Sequence, residues 1–412
     1  MQNWIEEQLH VLNLVDSMEQ EQGFTRLGYS AREGEAINQF ERIAEELGLT
    51  VRCDSAGNVM ASWTGSDPDL PVVATGSHLD TVHQGGGYDG VAGVLCSLAA
   101  VKQLKEEGFQ PKHTIEVINF RSEESARFGI STIGSKAMSG QLDPTIGSVC
   151  DGEGISIEQA VNECGFNWER FQHAERGEDE LKSFVELHIE QGTHIEESGA
   201  HYGVVNAIAC PIRLKVVVKG KAGHTGTTPM NKRQDAFVAI APLVNFANET
   251  AKKLNEENSE AVVATVSTVD LAPNSMNVIP GEVELGIDIR SVRDDLKETV
   301  ASEIYHKCKE IEGESHVTIE VETLVNNASV LLDEQMQTSL KAISDEVGMK
   351  SIVMSSGAGH DVMNMQSKWP SGLIFIPCED GLSHHPEEFS SLEDLLNGTK
   401  VLANYLKTEA GE

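Results

Sequence analysis

The sequence predicts an α/β fold: a mixed-sheet domain made of residues 1–209 and 327–412, interrupted at 210–326 by a smaller βαββαβ unit. Three observations predict it. Short strand-like runs, apolar at 70–75 and 373–377 and alternating at 113–120 and 184–189, are bounded by polar turns. Segments of helical period lie between them, in 1–48 and at about 93–107. From Val204 the pattern changes to strand 213–219, helix 234–254, strands 261–271 and 282–289, helix 294–311 and strand 317–322, a ferredoxin-like order. After Asn327 it returns to a helix and two strands, 351–354 and 373–377.

At 412 residues the chain is long enough for two domains with sizeable cores. Apolar residues are 40% and charged residues 23%, and no apolar run is long enough to span a bilayer. A formal charge of -34 repels polyanions, which argues against nucleic acid and anionic membranes as partners. The seven cysteines are scattered without CxxC spacing, so neither a thiolate zinc site nor a disulfide framework is expected. The N-terminal stretch is acidic and helically periodic, not a signal-peptide pattern, and a cytoplasmic location is expected.

Along the first domain, Trp4, Ile5, Leu9, Leu12 and Leu14 form one apolar series. Ser30, Ala31, Arg32 and Glu33 resemble a capping box before a second helix, with Phe40, Ile43 and Leu47 turned to a sheet. Strands at 50–52 and 58–63 flank a turn at 54–57. The stretch 76–94, GSHLDTVHQGGGYDGVAGV, then begins where the 70–75 strand ends, a place where α/β folds present ligands. His78 and Asp80 are two apart, so an extended backbone turns both to one side and Asp80 can orient the imidazole. The glycines at 85–87 let the chain bring Asp89 back beside His78, where one carboxylate can bridge two cations. Taken alone, a His-x-Asp pair is ordinarily a surface pair or a capped turn.

The 113–120 strand ends in Arg121, Ser122, Glu123 and Glu124. Adjacent carboxylates can divide roles, one ligating a cation and the other taking a proton from water; a solvated pair at a helix start is the plainer alternative. Residues 141–182 are polar and weakly patterned. In FVELHIEQG, 184–192, alternation places Glu186, His188 and Glu190 on one strand face, although a lone strand histidine is commonly a hydrogen-bonded core residue.

The insertion carries a Gly/Thr-rich loop at 220–230 that can bring backbone N–H groups and His224 to an anion or developing oxyanion. As a plain connection it would lead into the next helix with Pro229 near its start. Asn277 and Arg290 can hold a carboxylate, Arg290 bidentately, although each alone reads as a surface residue. Near the C-terminus, SSGAGHD at 355–361 offers small residues and free N–H groups to a ligand, and GLSHHPEE at 381–388 supplies His384 and His385, between which spacing does not choose.

Convergence decides where single motifs do not. His78, Asp89, Glu123 or Glu124, His188 and His384 or His385 all fall at or just beyond predicted strand ends of one interrupted domain. Imidazole and carboxylate without thiolate suit Mn(II), Zn(II), Co(II) or Ni(II), and a shared carboxylate suits two ions about 3.5–4 Å apart.

GSHLDTV with YDG, RSEESARF, ELHIEQG, GHTGTTPM, NVIPG, DIR, SGAGHD and GLSHHPEE, in this order over nearly the whole chain, resemble the amidohydrolase branch of the M20 metallopeptidase family. The resemblance implies a phosphorylase/hydrolase-like catalytic domain holding two divalent ions per subunit, usually Mn(II) or Zn(II). His78, Asp89 and His188 would bind one, and Asp89, Glu124 and His384 the other. Glu123 would be the general base, taking a proton from the attacking water and returning one to the leaving ammonia, with Asp80 in support. Gln191, His224, Asn277, Arg290 and the Gly357 and Ala358 backbone would surround a small anionic ureido substrate, Arg290 on its carboxylate, with Arg213 a further member. The insertion would be a lid through which a homodimer forms, its residues able to reach the partner's site. VVNAI, SGAGHD and FIP before GLSHHPEE resemble the allantoate-hydrolysing members most, and N-carbamoyl-L-amino acid hydrolase or β-ureidopropionase activity is the alternative. A non-catalytic ureide-binding dimer is the distant one. Tyr88 and Thr225 depart from the usual forms of their motifs and bear on specificity, not on the reaction.

Overall fold

The computed structural model describes residues 1–411 and divides into two compact units. The first comprises Met1–Asn206, Leu332–Met354 and the chain from His360 onward; the second comprises Ala207–Leu331 with Ser355–Gly359. The second unit is thus wider than the 210–326 read from the sequence, and it takes in most of the SSGAGHD stretch that the sequence reading left with the first domain.

In the first unit, α1 (Gln2–Asn13) and α2 (Ala31–Glu46) precede β1 (Thr50–Cys53), β2 (Val59–Trp63) and β3 (Val72–His78). Helix α3 (Val91–Glu106) then leads to β4 (Ile115–Phe120), β5 (Leu181–Ile189) and β6 (Tyr202–Ile208). The second unit contributes β7 (Pro211–Lys219), β8 (Gly223–His224), β9 (Val262–Ala272), β10 (Val278–Ile279), β11 (Glu282–Ser291), β12 (Thr318–Asn326) and β13 (Val330–Leu331), and the chain returns through β14 (Ser351–Ser356) to β15 (Ser371–Ile376).

The first unit's sheet has the order β1-β2-β4-β3-β5-β15-β6. Its centre, β4-β3-β5-β15, is parallel, and antiparallel strands flank it. Strand β15 is buried at every residue, which is why it reads as a continuous apolar run. Strand β4 alternates in sequence, as a half-exposed strand would, yet it too is buried at every residue, its Glu116 held by Arg52 and Arg176. Helix α3 is apolar around most of its circumference because it is wrapped by the sheet, by α1 and by the last helix, Leu392–Gly411. Phe40 and Ile43 of α2 are buried in the same core. The polar 141–182 stretch forms short helices around a small cluster that includes Ile157, Val161 and Phe171.

The capping box at α2 is only half formed. Ser30 accepts the Glu33 N–H, but the Glu33 carboxylate is buried and accepts the N–H groups of Tyr29 and Ser122 instead of that of Ser30. In the second unit, β7, β9, β11 and β12 with the helices Ala236–Glu257 and Asp294–Ser315 give the βαββαβ order. The sheet runs β12-β7-β11-β9, antiparallel throughout, and its apolar face packs on the two helices. Strands β8 and β10 add a two-residue ladder beyond the end of β7, inside what the sequence reading treated as a loop.

Candidate metal and catalytic site

Register brings the candidate ligands together. His78 closes β3 opposite Phe120 of β4, so Arg121 to Glu124 leave the sheet level with it. Gly76 pairs with Glu186, which sets His188 level with His78, and the two rings stack at 5.7 Å. Strand β3 runs on to His78, past the end of the 70–75 run predicted for it, so His78 is held by the sheet itself and not by a loop.

Asp89 lies between the two sets of donors. Its Oδ1 is 3.4 Å from His78 Nε2 and 3.1 Å from His188 Nε2; its Oδ2 is 3.3 Å from His384 Nε2, which is itself 3.3 Å from Glu124 Oε1. Two trios result, His78-Asp89-His188 and Asp89-Glu124-His384, each with donor atoms within 4.8 Å of one another. His384, not His385, is the one in place: His385 faces outward beside Glu387. Gly90 makes the turn possible, with φ +66° and no room for a side chain, since a Cβ would stand 2.5 Å from the His78 ring.

The acidic turn is fixed through its backbone. Asp80 Oδ1 accepts the Glu123 N–H and Oδ2 that of Glu124, while Glu33 takes the N–H of Ser122, a residue at φ +53°. Asp80 also touches His78 Nδ1, through its carbonyl at 3.1 Å and its carboxylate at 3.4 Å. The orienting role expected for Asp80 is therefore shared between the imidazole and the two glutamates. Glu123 Oε2 stands 3.9 Å from His78 Nε2.

The electrostatics favour bound positive charge. Burial pushes the Glu123 carboxyl well above its ordinary range, and Glu124 in the same direction. Burial opposes charge on His78 and His188 as well, but their carboxylate partners more than offset it and hold both above the usual imidazole range. His384, hydrogen-bonded to Asp89 and Glu124, is raised to about 11. A cluster of carboxylates this short of positive charge, with imidazole nitrogens and no thiolate, has the donor chemistry of a site for two borderline divalent cations.

Other expected residues are placed differently. Gln191 touches the centre itself: its Nε2 donates to Asp89 Oδ2 at 2.7 Å, and its Oε1 is buried without a partner. In the second unit, Arg290 donates to Asp288 and to the Gly357 carbonyl, and Arg213 donates to Asp288 from the neighbouring strand. The Ala358 N–H, read from the sequence as free for a ligand, is taken by the Ser356 hydroxyl, which accepts it. His224 and Asn277 are exposed and adjoin through the Thr225 N–H to Asn277 carbonyl bond. They lie beyond the far end of β7, separated from Arg213 by the stretch to Lys219, roughly 20 Å of extended chain.

Sequence reasoning missed several residues around the centre. Glu186, one strand step before His188, accepts from Ser77 and from the Val362 N–H. His360 packs at 4.5 Å on His188, held neutral by burial, and Glu388 binds the Asp89 backbone. Glu186 was visible on the His188 face, and His360 and Glu388 lay inside quoted motifs; their partners were not.

This fold and this set of side chains define a metal-dependent hydrolase. The chain belongs to peptidase family M20/M25/M40, whose model matches residues 74–408, and within it to the amidohydrolases. It is 38% identical to a ureidoglycolate hydrolase of Oryza sativa subsp. japonica over 92% of this chain and 79% of that one. It is 37% identical to an N-carbamoyl-L-amino acid amidohydrolase of Geobacillus stearothermophilus and 34% identical to an allantoate amidohydrolase of Escherichia coli K12, each over 92% of both chains. A crystal structure of AtUAH in complex with (S)-hydroxyglycine superposes with a TM-score of 0.85 at 35% identity, over 100% of this chain and 97% of that one.

Proposed function

We propose that the protein hydrolyses a ureido C–N bond in a small carboxylate, with allantoate as the substrate, giving ureidoglycine, ammonia and CO2. The observation that carries the reading is Glu123, a buried carboxylate beside two donor trios that share Asp89. His78, Asp89 and His188 would hold one divalent ion, and Asp89, Glu124 and His384 the other, Mn(II) or Zn(II) in the first instance. When bound, such ions supply Lewis acidity toward the ureido carbonyl and make a water acidic enough to attack near neutral pH.

The chain's own residues do the rest. Glu123 takes the proton of the attacking water and delivers one to the departing nitrogen; burial raises its proton affinity toward the range where one carboxyl serves as base and then acid. Asp80 keeps Glu123 and Glu124 in place through their N–H groups. Gln191 Oε1 is a free acceptor for a ureido N–H. Arg290, with Arg213 beside the same Asp288, is assigned the substrate carboxylate.

His224 and Asn277 are assigned to the substrate as well. Their distance from Arg213 and Arg290 within one subunit supports a homodimer in which the partner supplies one of the two groups. Exposed Phe237 and Val238 and the edge strand β9 offer the apolar and strand surface for that dimer.

The names of the relatives keep two further substrates in view, ureidoglycolate and N-carbamoyl-L-amino acids. The test is ammonia release by metal-stripped, Mn(II)-reconstituted protein on allantoate, ureidoglycolate, N-carbamoyl-β-alanine and a panel of N-carbamoyl-L-amino acids. Allantoate is expected to lead by kcat/KM. A lead by another of them moves the substrate and keeps the chemistry; ammonia from none of them overturns the reading in favour of a non-catalytic ureide binder.

A further inference from the structure

One buried carboxylate joins two of the sequence stretches that carry the ligands. We infer that Glu388 is the positioning residue of the second trio, locking Asp89 and His384 into one geometry, so that Asp89, Glu124 and His384 form a cation site only while it is in place. The inference rests on the reading above, in which that trio holds a divalent ion.

Glu388 is buried, and both of its oxygens bind backbone on either side of the trio. Oε1 accepts the N–H groups of Tyr88 and Asp89, each at 2.9 Å; Oε2 accepts the Ser383 hydroxyl at 2.9 Å and the His384 N–H at 3.2 Å. Such charge-assisted bonds are the strong ones, and here they tie a residue of the 85–90 turn to a residue almost at the other end of the chain. The Ser383 hydroxyl also lies 3.0 Å from Asp89 Oδ2, so Glu388 orients the group that touches the shared carboxylate.

His384 needs this support more than the other ligands do. Its side chain is 49% exposed, whereas those of His78, Asp89, Glu124 and His188 are buried, so packing does not fix it. Its backbone is left-handed at φ +57°, a conformation that a residue with a side chain keeps only where its surroundings over-determine it. The glycine turn points the same way: a Cβ on Gly86 would stand 2.2 Å from Glu388 Cδ and Oε1, so this glycine leaves room for the carboxylate. Asp89 is common to both trios, but the two histidines of the first have separate supports. His78 is held by β3 and by the Asp80 carbonyl, and His188 by β5 and by the Ile189 carbonyl.

The experiment is a titration of metal-free, full-length protein with Co(II), following visible absorption and stoichiometry, for the unaltered chain, Glu388→Gln and Gly86→Ala. The unaltered chain is expected to bind two ions. Glu388→Gln should bind the second at least tenfold more weakly and the first, which shares only Asp89 with it, distinctly less so, with the circular dichroism of the folded protein. Gly86→Ala, which presses on the carboxylate without removing it, should show the same selective loss, and it decides the matter if Glu388→Gln does not fold. Two ions at unaltered affinity in the folded variant, or equal weakening of both, overturns the positioning role. An unaltered chain that stops at one ion sinks the two-cation reading, and this inference with it.

Discussion

The polar residues of the first unit and those of the second are built on opposite plans. Around Asp89 the candidate ligands are mostly buried, stand at or beyond the ends of parallel strands, and are held with their turns by partners such as Asp80, Glu33 and Glu388. In the second unit His224, Asn277 and Arg213 are exposed, and the arginines are occupied by Asp288. The difference teaches how the labour is divided. On the proposed reading, the chemistry that needs sub-ångström placement sits where a sheet can enforce it, while the groups assigned to the substrate stay on a surface that can exchange partners.

The sharpest way to break the comparison is Glu123→Gln. It should cost about a thousandfold in kcat while leaving the content of both cations intact, as a lost general base does; unchanged turnover would remove Glu123 from the mechanism. Next is the frame behind the ligands, where Glu116 on β4 is buried between Arg176 at 2.6 Å and Arg52 at 2.9 Å. Arg176→Met should destabilise the fold by about 3 kcal/mol near neutral pH, read from chemical denaturation. Burial pushes Glu116 up, but the two arginines outweigh it and hold its carboxyl below the usual range. Its folded pKa is therefore the lower one: the stabilisation is complete above the unfolded carboxyl pKa and fades as pH falls through the folded value. The gap between unaltered chain and variant should close in acid, and a gap that stays constant would show that the pair acts by packing alone.

Smaller effects sharpen the other side. Arg290→Ala should raise KM roughly ten- to a hundredfold with kcat little changed, the worth of one charge-assisted contact. A change confined to kcat would remove Arg290 from the carboxylate. The smallest signal expected is a recovery. Mixing His224→Ala and Glu123→Gln subunits, each inactive alone, should restore about a quarter of the activity if a symmetric dimer pairs the two lesions on one site and leaves the other site whole. No recovery would keep His224 within its own subunit's chemistry.

Much of this was legible in the chain. Period and composition gave the mixed sheet and the βαββαβ order, because burial on two faces and burial on one leave different patterns. The candidate ligands' types and positions near strand ends were legible too, since His78, Asp89, Glu124 and His188 lie close to strand-like runs. What was read too simply was polar pairing. Glu33 looked like a helix cap and spends its carboxylate on Tyr29 and Ser122 instead; the Ala358 N–H looked free and is taken by Ser356.

By itself, then, the sequence determined the fold class, the chemistry of the donors and the stretches that carry them, because hydrophobic period and side-chain type are local properties. Spacing left open the choice between His384 and His385, which the resemblance made for His384; the tertiary structure sets Asp89 between the two trios with His384 in the second, and it alone decided that Glu388 ties them together. Those outcomes depend on strand register and on hydrogen bonds between residues some three hundred positions apart in the chain, and no local pattern encodes which of several neighbouring polar groups such a bond will choose.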